Sequence, residues 1–402
     1  MNRAPKKITM ALTNDVIRDA RVLREATTLV KNGFIVTIVG IKSEKTPYEE
    51  IWDCIHIKRI DPAPWKGTFR DTIGTVTRYM RHVFTYGNLT QKYLYDTLIT
   101  VPTDIYHSHD FNTLLPVVKA AQHRKVPYVY DSHELFVDTL NEIPTRGWHE
   151  RAFMKIVRLY CKIMERKYIR KAAYVITVNQ QISDELSKRY SIPKPIVLRN
   201  IPLLKHIEQK KNWHSIFNIP SDSKIILYQG VIGTSRGVLQ LINAMTHLPD
   251  NYHLVFLGYG SFVHKIEPTA QKLNINDRIH YHPAVALDVL LKYTAGADCG
   301  VSLIEPNNLS KQFALPNKLF EYMMAGLPIV CSDLPAMREV IQTAHNGSLT
   351  KNLEPNVIAQ TIQKTLEQMD TEQLKNNSLQ SAREIFNWEK ESKKLLALYK
   401  TL

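Results

Sequence analysis

The sequence predicts an α/β protein made of two doubly wound domains that face each other across a cleft. Three observations carry that expectation. At 402 residues the chain is too long for one ordinary hydrophobic core, so at least two globular units are expected. Both halves alternate short apolar strands with helical segments, the order that builds a parallel sheet with helices on both faces. Between the halves, after PIVLRNIP, runs LLKHIEQKKNW, which is charged and has no hydrophobic period, so the boundary is placed near residue 201.

In the first domain, residues 1–200, KITMAL reads as a strand, ARVLREATTLVKNG as a helix and FIVTIVG as a strand. DIYHSH, a helix to about Arg124, PYVYDSH, and AYVITVN leading into QQISDELSKRY repeat the alternation. The second domain, residues 201–380, does the same with KIILYQG, a helix from about Val238 to Thr246, HLVFLGYG, RIHYHPAV, DCGVSLIE, a helix from Pro316 to Ala325, and PIVCSD. In that last helix Leu319, Phe320, Met323 and Met324 fall on one face at the spacing of a buried stripe, and Lys318, Glu321 and Ala325 fall on the other. Asn317 can cap its first turn, and Gly326 can close it in a left-handed conformation. Ligands of such sheets lie outside the carboxyl ends of the strands, which directs attention to the loops there.

Composition narrows the class. Apolar residues make up 44% and charged residues 22%, as in a soluble globular protein, and no run approaches the roughly 18 apolar residues of a membrane span. The start, MNRAPKKITMALTND, has too short an apolar run for a signal peptide. Cys54, Cys161, Cys299 and Cys331 are scattered, without the pairing of a zinc site or disulfide framework, and fit a reducing cytoplasm. Residues 1–200 contain 32 Lys/Arg against 20 Asp/Glu, a net of +12, while residues 201–402 contain 20 against 18, a net of +2. The basic surface therefore belongs to the first half and suits an anionic substrate, lipid surface or nucleic acid.

Part of that charge is ordered. Arg151, Lys155, Arg158, Lys162 and Arg166 recur at steps of three and four, with Phe153, Ile156, Val157, Tyr160, Ile163 and Met164 expected opposite. The segment Phe69 to Phe84 has a weaker version of the same pattern. A core helix with a solvated face explains such a stripe, and so does docking on an anionic membrane.

The chemistry-bearing residues cluster at strand ends. YQGVIGTSRG places Gly230, Gly233, Arg236 and Gly237 at a strand-to-helix turn, where glycines admit the close approach of a phosphate and an arginine can bind it through two hydrogen bonds. FLGYGS adds Gly258 at a second such turn. YHSHDF supplies His107, His109 and Asp110, and VYDSHELF supplies Asp131, His133 and Glu134, candidates for metal binding, acid–base work or structural hydrogen bonding. His107 fits a structural role better and His133 a functional one. No DxD pair of aspartates occurs, so a metal-independent site is expected.

Taken together these segments resemble the retaining glycosyltransferases of family 4, which have the GT-B fold of two facing Rossmann-like domains. RDARVLREATTLVKNGFIVTIVG, DIYHSHDF with PYVYDSHELF, MERKYIRKAAYVITVNQQISDEL, YQGVIGTSRGVLQLINAM, FLGYG and LPNKLFEYMMAGLPIVCSDLPAMREVI match in order and spacing. FNWEKESKKLLALY resembles the closing helix, so residues 381–402 are expected to pack back on the first domain. The resemblance implies transfer of a hexose from a nucleoside diphosphate donor, with UDP the expected nucleotide, to a hydroxyl, with the anomeric configuration kept and with neither cofactor nor metal. It makes Arg236 and Lys318 the charges that offset the departing diphosphate, with Asn317 beside them. It makes Glu321 the ribose contact, His282 a neighbour of the base, and His133 a group that reaches the transferred sugar. His109, Asp110 and Glu134 then lie on the acceptor side.

Two positions depart from the pattern. Phe313 stands where the first glutamate of the family's E-x7-E motif is expected, which leaves the sugar open. Val231 and Arg236 occupy the turn positions that usually carry an arginine and a lysine. The expected partners are a nucleotide sugar, a glycan or lipid-linked acceptor and an anionic membrane surface, at the cytoplasmic face. An epimerase of the same fold, a transferase with a soluble acceptor, and a non-enzymatic membrane-binding module are the alternatives. No nucleic-acid motif occurs, so no nucleic-acid partner is expected.

Overall fold

The structure, a computed structural model, describes residues 4–17, 19–62, 87–143, 145 and 147–402. The segment Phe69 to Phe84 lies outside the described residues. The chain divides into two compact units, Met1–Arg199 with Ser392–Leu402, and Asn200–Glu391.

The first unit is an eight-stranded sheet of β1 (Lys7–Ala11), β2 (Ile35–Ile41), β3 (Glu49–Trp52), β4 (Ile55–Ile60), β5 (Ile105–His109), β6 (Tyr128–Ser132), β7 (Tyr174–Thr177) and β8 (Ile196–Val197). Its spatial order is β3-β4-β2-β1-β5-β6-β7-β8. All neighbours are parallel except β3 and β4. β3 is short, exposed and charged, and forms an edge hairpin with β4; nothing in EEIW marks it as a strand before β4 is there to pair with it. The central strands β5 and β6 are buried throughout, because helices cover both sheet faces. Asn179 caps the helix Gln180–Tyr190, its side chain accepting from Ile182 N at 2.9 Å.

The second unit is a six-stranded parallel sheet of β9 (Lys224–Val231), β10 (Tyr252–Tyr259), β11 (Ile279–Pro283), β12 (Cys299–Ser302), β13 (Ile329–Ser332) and β14 (Gly347–Thr350), in the order β11-β10-β9-β12-β13-β14. Successive residues of β9 serve opposite cores. Ile225 and Leu227 pack with Leu319, Phe320 and Met323, while Ile226 and Tyr228 pack with Leu241, Ile242 and Phe256. Each such side chain contributes about 1.5–3 kcal/mol by leaving water.

The closing segment differs from expectation. Residues 381–384 finish the helix Thr371–Glu384, and a separate helix, Trp388–Thr401, follows. Only from Ser392 onward does it belong to the first unit, where Tyr399 Oη lies 2.7 Å from His107 Nδ1 and Lys394 Nζ donates to the Val197 carbonyl at 3.2 Å. Among the described residues no helix is long and apolar enough to cross a membrane.

Candidate functional site

In the second unit, β9 ends at Gly230, whose φ of +101° is a conformation that side-chain-bearing residues rarely adopt. Gly258 is its register partner on β10, and a Cβ on Gly258 would strike the Gly230 carbonyl. A Cβ on Gly237, at φ +63°, would strike Leu303. Gly233 is under no such constraint, since its Cβ would make an ordinary contact with Ser261 Oγ at 3.6 Å. Ser235, at φ +58°, is held by the following loop: Glu305 N donates to its carbonyl at 3.1 Å, and Asn307 Nδ2 to its Oγ at 2.7 Å. The turn that presents Arg236 is thus shaped by close backbone approach and pinned from one side.

The helix expected over Pro316–Ala325 is regular over Lys318–Met324. Asn317 does not cap it with its side chain; its own backbone is helical, and its carbonyl accepts from Phe320 N and Glu321 N at 2.9 and 3.1 Å. Gly326, at φ +72°, closes the helix as expected. Lys318 is 8% exposed, and its Nζ stands 3.7 Å from the centroid of the Tyr228 ring, a cation–π contact. Burial and the nearby charge of Arg236 lower its pKa to about 7 against the pull of Glu321. Arg236 is half-buried. Lys318 therefore gives up its proton easily beside Arg236, and an anion at this turn would favour its charged form.

Glu321 is tied to the sheet by a residue that the sequence pattern did not single out. Gln229, 1% exposed on β9, donates through Nε2 to Glu321 Oε2, and its Oε1 accepts from Thr294 Oγ1 at 2.8 Å. Tyr322 accepts from Gln229 N at 3.0 Å and reaches the Leu227 and Val301 carbonyls at 3.2 and 3.1 Å. The one available signal for Gln229 was a carboxamide at the end of the apolar run KIILY. His282, on β11, donates from Nδ1 to the Pro283 carbonyl at 2.7 Å and packs its ring against Trp213 and Tyr293.

In the first unit, β5 and β6 deliver a buried charged cluster at their carboxyl ends. Arg21, from the helix Ala20–Lys31, binds Asp131 through two hydrogen bonds of 2.9 and 3.0 Å and lies 3.0 Å from Glu25. Burial disfavours the Asp131 carboxylate, but Arg21 and His133 outweigh it and hold its pKa well below the usual range. Burial raises Glu25 to about 6, only partly opposed by Arg21. Burial and His109 keep His107 neutral, so it serves as a hydrogen-bonding partner of Tyr399, in line with a structural role.

His133 is the opposite case. Burial works against its charge, yet Asp110, 3.1 Å from Nδ1, and Asp131, 3.2 Å from Nε2, raise its pKa well above the ordinary value. Both ring nitrogens thus face carboxylates and act as donors. Asp110 adopts φ +62°, a strained conformation, and its Oδ1 also accepts from His133 N at 3.0 Å. His109 is 3% exposed, its Nδ1 being 3.5 Å from Asp131. Glu134 is exposed on the loop that follows. Glu25, His107, His109 and Asp131 offer metal-ligand atoms within 4.8 Å of one another, but Arg21 already lies against both carboxylates, so the cation this set neutralises is a guanidinium.

The basic helix runs over Trp148–Ile169, and its faces differ from expectation. Met154, Val157, Cys161 and Tyr168 are buried, whereas Ile156, Tyr160 and Ile163, expected in the core, are exposed together with Leu159. The apolar residues form two stripes because the core of the unit receives only a narrow face of this helix, and Arg151, Lys155, Arg158, Lys162 and Arg166 lie between them. Lys155, Arg158 and Lys162 also line a groove of about 600 Å³ with Lys188 and Arg189.

Comparison with known proteins accounts for both units. The family model for glycosyltransferase family 4 matches residues 20–200, and that for glycosyl transferases group 1 matches residues 209–381. The chain is 23% identical over 388 residues to an uncharacterised glycosyltransferase of Methanocaldococcus jannaschii, covering 92% of this chain and 91% of that one. It is 24% identical over 370 residues to a chitobiosyldiphosphodolichol beta-mannosyltransferase of Candida albicans, covering 87% and 78%. In fold it is similar to Anabaena HepE in complex with UDP-glucose, with a TM-score of 0.70 at 13% identity over 98% of this chain and 100% of that one. With one family model accounting for the first unit and the other for the second, the chain belongs to the family 4 glycosyltransferases and has their GT-B fold.

Proposed function

We propose that this enzyme is a retaining, metal-independent glycosyltransferase that moves a sugar from a nucleoside diphosphate donor, with UDP the expected nucleotide, to a hydroxyl of a lipid-linked or cell-surface glycan at the cytoplasmic face of a membrane. The observation that carries the donor part is the buried Lys318 beside Arg236, with Glu321 on the same helix. Two cations match the charge that develops on a departing diphosphate, and a carboxylate one helical turn away matches a vicinal diol. With both nitrogens of His133 committed to carboxylates, His133 is not the base, and in this reading a departing phosphate oxygen receives the acceptor proton. The Candida relative, named for a lipid diphosphate-linked acceptor, and HepE, solved with UDP-glucose, support the acceptor and donor classes. The exposed Ile156, Leu159, Tyr160 and Ile163 beside basic side chains support membrane docking, since such a stripe inserts apolar groups while the charges meet anionic headgroups.

A thermal-shift panel of UDP, GDP, ADP and their sugars tests the donor. One nucleotide is expected to raise the melting temperature, and Glu321→Ala is expected to weaken its binding about tenfold, ~1.4 kcal/mol. No shift with any nucleotide overturns the reading, and isomerisation of a nucleotide sugar without nucleotide release points to the epimerase instead. For docking, the protein is expected to sediment with anionic liposomes and not with neutral ones, and Lys155→Glu with Lys162→Glu is expected to abolish this; equal binding to both liposomes rejects it.

A further inference from the structure

Resting on the reading of Glu321 as the ribose contact, we propose that Gln229 is its positioning residue: the Gln229 carboxamide, aligned by Thr294, holds the Glu321 carboxylate ready for the ribose before the nucleotide arrives. Gln229 occupies a strand position flanked by apolar residues, where packing alone would be served by leucine. Its side chain is instead committed at both ends. An ionised carboxylate can only accept, so Nε2 must face Glu321 Oε2, and this leaves Oε1 to face Thr294 Oγ1 at 2.8 Å. Thr294 is fully buried on the helix Leu290–Thr294, and its single hydroxyl proton lies between Gln229 Oε1 and the Leu290 carbonyl, 2.9 Å away. The backbone N–H of Gln229 goes to Tyr322, the residue after Glu321. One residue of β9 therefore grips two successive residues of the donor helix, one through its side chain and one through its backbone. Holding a flexible glutamate in place in advance removes an ordering cost from binding, and the gain applies only to ligands that use that glutamate.

The test compares binding of the tightest nucleoside diphosphate among UDP, GDP and ADP with binding of its 2′-deoxy counterpart by calorimetry, in the wild type, Gln229→Leu, Thr294→Val and Glu321→Ala. The wild type is expected to prefer the ribose form. Gln229→Leu and Thr294→Val are expected to lose roughly three- to tenfold for the ribose form and little for the deoxy form, so that the preference shrinks. A residue that merely supports the fold would weaken both forms equally. If the wild type and Glu321→Ala differ in ribose preference but both other variants keep the wild-type preference, the positioning role is overturned and the Glu321 reading stands. If the wild type shows no ribose preference, or Glu321→Ala retains it, the Glu321 reading fails and the positioning role fails with it. Thr294→Val, two hydrogen bonds removed from the glutamate, decides the matter where Gln229→Leu does not fold.

Discussion

An Arg21→Met variant is expected to lose about 3–5 kcal/mol of stability in the first unit, because it strands two buried carboxylates that now share one guanidinium. For a unit of about 200 residues that lowers its melting temperature by roughly 10 °C. The loss has a pH signature. With Arg21 present, the Asp131 pKa is depressed, so its contribution is complete above the unfolded value of about 3.9 and is lost only as pH falls through the folded value. Without Arg21, His133 is the main group left opposing burial at Asp131, and Glu25 already sits at about 6 with the guanidinium in place. The deficit is therefore expected to be greatest at pH 8 and to narrow toward pH 5, as the carboxyls bind protons. Arg21→Lys, which keeps the charge but not the two-pronged geometry or the bond to the Leu198 carbonyl, should fall between. Thermal unfolding between pH 5 and 8 checks the series, and a methionine variant as stable as the wild type at pH 8 would remove the cluster's structural role.

The second large effect is on rate. Lys318→Ala is expected to lower kcat by about 100- to 1000-fold, the usual cost of deleting one group aimed at developing charge in a dry site. A pH test separates charge from shape. Burial and Arg236 bring the Lys318 pKa to about 7, and on the proposed reading a diphosphate meets its ammonium form. Below pH 7 the lysine is mostly charged, and the loss of affinity that it causes belongs to the range above pH 7. Above pH 7 a proton must be taken up on binding, so affinity falls by up to about tenfold per unit until the pKa of the complex is reached. Lys318→Arg stays charged, so its profile is expected to be flat from pH 7 to 9, above the second ionisation of the terminal phosphate at about pH 6, at some cost in fit over the Tyr228 ring. Nucleotide affinity measured across this range decides it, and a flat wild-type profile would show that Lys318 does not meet the diphosphate.

Much of this was readable from one dimension. Leu319, Phe320, Met323 and Met324 announced the buried face of the helix Lys318–Met324 through their spacing alone, and Gly326 its end, because both are local features of three or four residues. The partnership of Arg21 with Asp131 was not, since 110 residues separate them and only the adjacency of their sheet elements brings them together. Gln229 was hidden for the same reason: its meaning depends on Thr294 and Glu321, from two other elements. The basic helix shows a subtler failure. A helical wheel finds apolar residues away from the charges, but how wide an arc the core accepts is a property of the neighbouring elements, and here Ile156, Tyr160 and Ile163 fall outside it. The same dependence hid β3, an edge strand that exists by pairing with β4.

The hydrogen-bonding contact of Tyr399 with His107 bears on the order in which the molecule can be made. The first sheet is complete in sequence by Arg199, yet a fully buried tyrosine of its core arrives with Ser392–Leu402, after all of Asn200–Glu391 has been synthesised. At 5–20 residues per second that delay is roughly 10 to 40 s. During it Phe34 and His107 lack the ring that Tyr399 later sets beside both. The packing of the first unit around Tyr399 therefore waits on the synthesis of residues 200–391.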